Sequence, residues 1–221
     1  SGAASDRHCL DGKMDDIRVY DRALTQSEIT HLATSRGIEG SPSTSATVIA
    51  STSGQRSGTG QVGSAIDTTG ADMIIMSISG YNGVDTPSDS EGNTWVNLST
   101  SGTGGFIRQR LSYCLSPTTS SSHTFSCTNT AFPSASVVAF SGVGSYESEN
   151  FSTVVSGTTV QAGAVTPTTD NSLVFIGAVN EGGIYNAVDS GFTLETAVAY
   201  AAYAAMGDAT AYLVQPLAAS V

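Results

Sequence analysis

The sequence predicts an all-β fold, an antiparallel two-sheet sandwich preceded by one terminal strand and one short helix, on three observations. About ten short runs of Val, Ile, Leu and aromatic residues recur along residues 47–214, each bounded by turn residues. Serine and threonine make up roughly a quarter of the chain beside 24 glycines, the composition of an all-β protein with a polar outer surface. A helix with both of its ends marked is found near the N-terminus, over residues 23–37.

Met14, Ile17, Val19 and Tyr20 form a short β-favouring run with Asp16 and Arg18 interleaved. Thr25 and Glu28 then make a T-x-x-E capping box, with Leu24 and Ile29 placed for a hydrophobic staple. Ile29, Leu32 and Ala33 repeat at helical spacing, and Gly37 stands where a left-handed C-cap belongs. Residues 39–46, with Ser41-Pro-Ser-Thr-Ser45, read as a linker. Strands are then expected at 47–50, 62–66, 72–79, 94–98, 107–115, 123–128, 135–140, 159–165, 173–179, 192–198 and 210–214. Residues 72–79 are apolar enough for a central core strand, and 107–115 with 123–128 read as a hairpin about the Ser116–Ser122 loop. The Ala-rich stretch 197–206 reads as helix on propensity alone, but its tyrosines and the neighbouring Thr193 and Thr196 favour strand.

The stretch Gly12-Lys-Met-Asp-Asp-Ile-Arg-Val-Tyr-Asp-Arg-Ala-Leu-Thr-Gln-Ser-Glu-Ile29 resembles the last strand and closing helix of a laminin-G-like, concanavalin A-type jelly roll. That family's ending reads G-x-I-D-D-V-R-I-Y-x-R-A-L-S-x-x-E-I. The resemblance covers residues 10–38. It implies that residues 1–38 are the C-terminal remnant of such a domain, so that the chain begins inside a fold it cannot complete. Further on, Ile66-Asp-Thr-Thr-Gly-Ala-Asp-Met-Ile-Ile75, Ser88-Asp-Ser-Glu-Gly-Asn-Thr-Trp95, His123-Thr-Phe125 and Val138-Ala-Phe-Ser-Gly-Val143 follow in order. This order is similar to a β-sandwich module of bacterial surface proteins and phage structural proteins, and implies one sandwich domain over residues 47–221.

Eight Lys and Arg stand against 19 Asp and Glu, a formal charge of −11, and Lys13 is the single lysine. Such a surface repels phosphate backbones and anionic bilayers, which argues against nucleic acid and membrane as partners. No run approaches the roughly 20 apolar residues of a membrane span. Ser1–Asp6 has neither the basic nor the apolar region of a signal peptide, so any export signal is expected upstream or by another route, such as release with a virus particle.

Gly58-Thr-Gly-Gln-Val-Gly63 matches G-x-G-x-x-G, but strand and turn residues follow where a dinucleotide site needs a helix. His8, His31 and His123 have no second ligand at zinc spacing. No G-x-S-x-G elbow occurs, and Asp15 and Asp16 read as turn and ion-pair residues, so no catalytic set can be named and no enzyme is expected. The loop 81–93 gathers Asp85, Asp89 and Glu91, a candidate calcium site because that ion takes six to eight oxygens. Its plainer account is an Asx-rich turn satisfied by its own backbone. Apart from calcium no cofactor is expected. Tyr81, Asn82 and Trp95 are candidates for a shallow carbohydrate platform, although a lone Trp after a turn also serves as a core plug. Cys114 and Cys127, on the arms of the expected hairpin, are candidates for a disulfide or for two buried thiols, which leaves Cys9 odd. Asn97-Leu-Ser and Asn150-Phe-Ser match the glycosylation pattern.

These features point first to a non-enzymatic structural or adhesion protein on the outside of a virus particle, as an appendage, fibre or decoration protein. Its expected location is the virion or an extracellular surface, and its expected partners are copies of itself, other surface proteins, or glycans. The alternative is a secreted bacterial surface or carbohydrate-binding protein. Residues 12–20 have no sequence-local partner strand, so they are expected to pair outside the sandwich, with upstream residues or a neighbouring copy.

Overall fold

The chain divides into two units, Ser1–Pro42 and Ser43–Val221. In the computed structural model the described residues are 45–55, 60–81, 83–84, 86–102, 107–127, 131–152, 161–180, 185–199 and 207–218, all in the second unit. The strand expected at 12–20, the capped helix and Cys9 lie outside them.

The described residues hold eleven strands and no helix: β1 (Thr47–Gln55), β2 (Gln61–Ile66), β3 (Met73–Tyr81), β4 (Pro87–Asp89), β5 (Val96–Gly102), β6 (Ile107–Leu115), β7 (His123–Cys127), β8 (Ala131–Ser141), β9 (Ser172–Asn180), β10 (Thr193–Ala199) and β11 (Gly207–Gln215). They form three sheets, in the orders β1-β8-β3-β6-β5, β2-β7-β4 and β10-β11-β9. Every hydrogen-bonded pair is antiparallel.

Side-chain alternation shows how the sheets stack. Ile74, Met76 and Ile78 of β3 join Ala135, Val137 and Ala139 of β8 in one core, closed by Val62, Phe125 and Cys127 of the β2-β7-β4 sheet. Met73 and Ile75, one residue out of phase, join Val138 and Phe140 in a second core, against Leu173, Phe175 and Tyr212 of the β10-β11-β9 sheet. Three sheets therefore stand where two were expected, with the five-stranded sheet, the middle layer, packed by a core on each face. This explains why residues 73–80 are buried without a break: a strand covered on both faces reads as a continuous apolar run. Phe140 meets the rings of Phe175 and Tyr212 edge-on, at centroid distances of 6.0 and 5.6 Å. Such contacts add about 1 kcal/mol each to the burial of the rings.

The hairpin expected from 107–115 and 123–128 is not formed. Both segments are strands, but β6 lies between β3 and β5 while β7 lies between β2 and β4. The Ser116–Ser122 connection carries the chain from the middle layer to an outer one. Both ladder edges of β6 are already occupied. The alternation in β7, with His123, Phe125 and Cys127 buried and Thr124 and Ser126 half-buried, belongs to a sheet covered on one face. Cys114 and Cys127 are accordingly buried thiols, with no bridge between them.

Residues 161–165 of the strand expected at 159–165 are irregular. Gly163 has φ +91° and no room for a side chain beside Asn150, whose Nδ2 donates to the carbonyl of Ala164 at 2.8 Å. A side chain thus takes the place of a ladder partner there.

Candidate functional site

The loop expected to bind calcium or sugar ends β4 and leads into β5. Asp89 is its hub. Oδ1 accepts the backbone N–H of Glu91 at 2.9 Å and that of Asn93 at 3.3 Å, together with Asn93 Nδ2 at 3.3 Å. Oδ2 accepts the indole N–H of Trp95 at 2.7 Å. His123 Nε2 lies 3.2 Å from Oδ1, both side chains being fully buried, but it lacks hydrogen-bond alignment. Burial alone would push the pKa of Asp89 up. The donors from Trp95, Asn93 and Glu91, with the adjacent His123, outweigh it and hold the carboxyl below its ordinary range.

The same loop is tied to two others. Asn93 exchanges a reciprocal pair with Thr118, donating from Nδ2 to its carbonyl at 3.0 Å and accepting its N–H at 2.7 Å. Thr68 Oγ1 is 2.9 Å from His123 Nδ1 and accepts the N–H of Ser120 at 3.2 Å. Three connections, around residues 68, 90 and 118, are thereby held as one clasp over an end of the β2-β7-β4 sheet. Thr68, His123 and Asp89 lie in line like a hydrolytic triad. The Thr68 hydroxyl is nevertheless fully buried and already hydrogen-bonded, so no substrate reaches it.

Asp85 and Asn82 fall outside the described residues. Glu91 shares the turn with Asp89, and its Oε1 accepts from Ser90 Oγ at 3.0 Å. Both oxygens of Asp89 face protein N–H groups, and among the described residues no three His, Cys, Asp or Glu side chains gather as a metal set. The geometry gives Asp89 the role of an Asx-turn hub. Trp95 is half-buried, packs on the first core and meets Phe125 edge-on at 6.4 Å. Its neighbour Val96 pairs with Tyr113, which pairs with Ile75. Tyr81 lies six residues further along β3, roughly 20 Å away at strand rise. The two rings do not form one platform. Burial and the Asp89 carboxylate both push the Cys114 thiol up, away from the reactive thiolate form.

A second carboxylate, which sequence reasoning passed over, lies between the middle layer and the β10-β11-β9 sheet. Asp208 of β11 is fully buried. Its Oδ1 accepts Ser77 Oγ of β3 at 2.8 Å and Gln109 Nε2 of β6 at 3.0 Å, and its Oδ2 accepts Ser136 Oγ of β8 at 2.9 Å. Gln109 Nε2 also donates to Ser77 Oγ at 2.9 Å. Burial pushes the Asp208 carboxyl up to about 7, against the opposing pull of Ser77, Ser136, Gln109 and Ser79. Gly177 of β9 covers this cluster. A Cβ there would stand 2.8 Å from Gln109 Nε2 and 3.1 Å from Ser77 Oγ, so only a glycine leaves room for the pair. The signal available in the sequence was a polar stripe: Ser77 and Ser79 alternate with Ile74, Met76 and Ile78, and Ser134 and Ser136 do the same on β8.

The chain matches no family model, and neither a curated protein nor a solved structure resembles it closely enough to count as a relative.

Proposed function

We propose that this chain is a non-enzymatic structural or adhesion protein on the outside of a virus particle, an appendage, fibre or decoration protein whose N-terminal segment is the closing part of a laminin-G-like jelly roll. The observation that carries the reading is where the carboxylate chemistry points. Asp89 and Asp208, the two carboxyls at the centres of the polar networks described above, are both turned inward and surrounded by donors of the chain itself. Such networks specify and hold a fold. The edge of the middle layer is managed in the same spirit. Ser99 of the edge strand β5 gives its backbone N–H to the Glu149 carboxylate at 3.1 and 3.3 Å, and its hydroxyl at 2.7 Å. A charged side chain on an exposed edge discourages indiscriminate strand pairing, which suits a module displayed in many copies. The surplus of carboxylates over basic groups favours solubility on such a surface.

The test is to locate the chain. Mass spectrometry of gradient-purified particles should find it, and gold-labelled antibody against residues 47–221 should decorate the particle exterior. Recovery only as free protein in the medium, or only inside cells, would overturn the reading.

A further inference from the structure

The Asp208 cluster brings a hydroxyl, a primary amide and a carboxyl group into mutual contact in a site buried from solvent. We propose that Ser77 and Gln109 are joined by an intramolecular ester, formed by the chain itself with Asp208 carrying the proton. Three distances define the arrangement. Ser77 Oγ is 2.8 Å from Asp208 Oδ1, Gln109 Nε2 is 3.0 Å from that same oxygen, and Nε2 is 2.9 Å from Oγ. One carboxylate oxygen therefore touches both the nucleophile and the leaving group.

The step balances without a co-reactant. The Ser77 Oγ proton passes to Asp208 Oδ1 as Oγ adds to the Gln109 carbonyl carbon. The Oδ1 proton then passes to Nε2, the carbon–nitrogen bond breaks, and ammonia leaves. One carbon–oxygen bond replaces one carbon–nitrogen bond, and Asp208 returns to its starting form. The Gln109 carbonyl carbon is bonded to Nε2, and turning the amide about its last torsion, which is broad for an sp³–sp² bond, turns a face of that carbon toward Oγ. Ser136 holds the other carboxylate oxygen at 2.9 Å, which fixes the plane of Asp208. The absence of a side chain at Gly177 leaves the space the pair occupies. Holding nucleophile and acyl group together in this way supplies much of the barrier reduction in intramolecular acyl transfer.

Two further facts fit. A carboxyl that burial raises to about 7 is populated in both forms at neutral pH, as a group that must first take and then give a proton should be. Ser77 and Asp208 are fully buried and Gln109 nearly so, so water does not hydrolyse the product, while loss of ammonia to solvent draws the reaction forward. The contrast within the molecule is informative. Ser112 Oγ also touches a side-chain amide, Asn97 Oδ1 at 2.8 Å, but among the described residues no carboxylate hydrogen-bonds to either of them. That pair is expected to stay unlinked. The ester would tie β3 to β6 through side chains as well as through their ladder.

The experiment is the intact mass of the full chain under denaturing conditions, after incubation at neutral pH. The wild type should be lighter than its sequence by one ammonia. Trypsin should leave the fragment 57–108 carrying Gln109-Arg110, which otherwise departs as a dipeptide. Ser77→Ala and Asp208→Asn should show the full sequence mass, and Ser77→Thr, which keeps a hydroxyl, should again lose ammonia. A wild-type chain at full mass overturns the proposal, as does a loss that persists in Ser77→Ala. Both outcomes can be read from unfolded protein, so poor folding of a variant does not obscure the wild-type result, and neither bears on where the protein is displayed.

Discussion

Asp89 and Asp208 are both buried carboxylates ringed by donors, yet their environments push them in opposite directions. Asp89 receives two backbone N–H groups of its own turn, an asparagine amide and an indole, with an imidazole alongside. The backbone donors are fixed by the turn and cost little further order to align. Asp208 receives two serine hydroxyls and a glutamine amide from three different strands, and among the described residues no basic group pairs with it. These donors are fewer, all are side chains, and the carboxyl lies deeper, so desolvation prevails. The contrast shows that the charge state of a carboxyl follows from its depth of burial set against its donors: Asp208 lies deeper than Asp89 and has fewer of them.

The largest expected effect tests the Asp208 side of this contrast. Its carboxyl is raised from the ordinary value of 3.8 to about 7, so in the window between these values the folded chain binds a proton that the unfolded chain does not. Its contribution is complete below the ordinary value and is lost as the pH rises through about 7. Urea titrations from pH 4 to 7 should therefore show the wild type losing stability relative to Asp208→Asn, by an amount on the order of 4 kcal/mol over the window. A flat difference between the two proteins would break the comparison.

Asp89 should behave in the opposite sense. Held below its ordinary range, it contributes stability above that range and loses it as the pH falls through its folded value. Asp89→Ala, which orphans the Trp95, Asn93 and Glu91 donors, is expected to cost about 2–3 kcal/mol at pH 7. That cost should shrink on acidification, measured by denaturant midpoint. Local hydrogen exchange should quicken in residues 88–95 before it does in β11.

The smallest effect concerns a carboxylate on the surface. Glu149 bonds the edge of β5 from outside, where solvent screens it. Glu149→Ala is expected to change stability by less than about 1 kcal/mol. It frees the Ser99 N–H on an exposed edge, so light scattering at high concentration should show more self-association than for the wild type. An unchanged scattering profile would restrict the value of buried and half-exposed carboxylates to stability alone.

Much of the secondary structure was legible in the sequence because strand formation here follows from local alternation. The run 107–115 is β6 with the same bounds, and the unbroken apolar stretch Met73-Ile-Ile-Met76 marked the strand covered on both faces. The Asx turn about Asp89 was also legible as the plainer account of its loop, since Asp89, Glu91 and Asn93 are close in sequence and bond one another. Pairing was not legible. The arms expected to form a hairpin belong to different layers, because a connecting loop long enough to close a hairpin can equally carry the chain between sheets. The short strand β4, only Pro87–Asp89, has no hydrophobic period to announce it.

By itself, then, the sequence determined the all-β character, the position of most strands and the surplus of negative charge, all of which are sums of local or compositional terms. Only the tertiary structure decided that a third sheet covers the middle one, and that Ser77, Gln109, Ser136 and Asp208 meet. Those four lie on four strands, the first and the last separated by 131 positions. Each looks alone like an ordinary polar position of a strand. What makes them one site is the closing of two sheets over a common face, which removes water from all four at once, and no local property of the chain encodes that event.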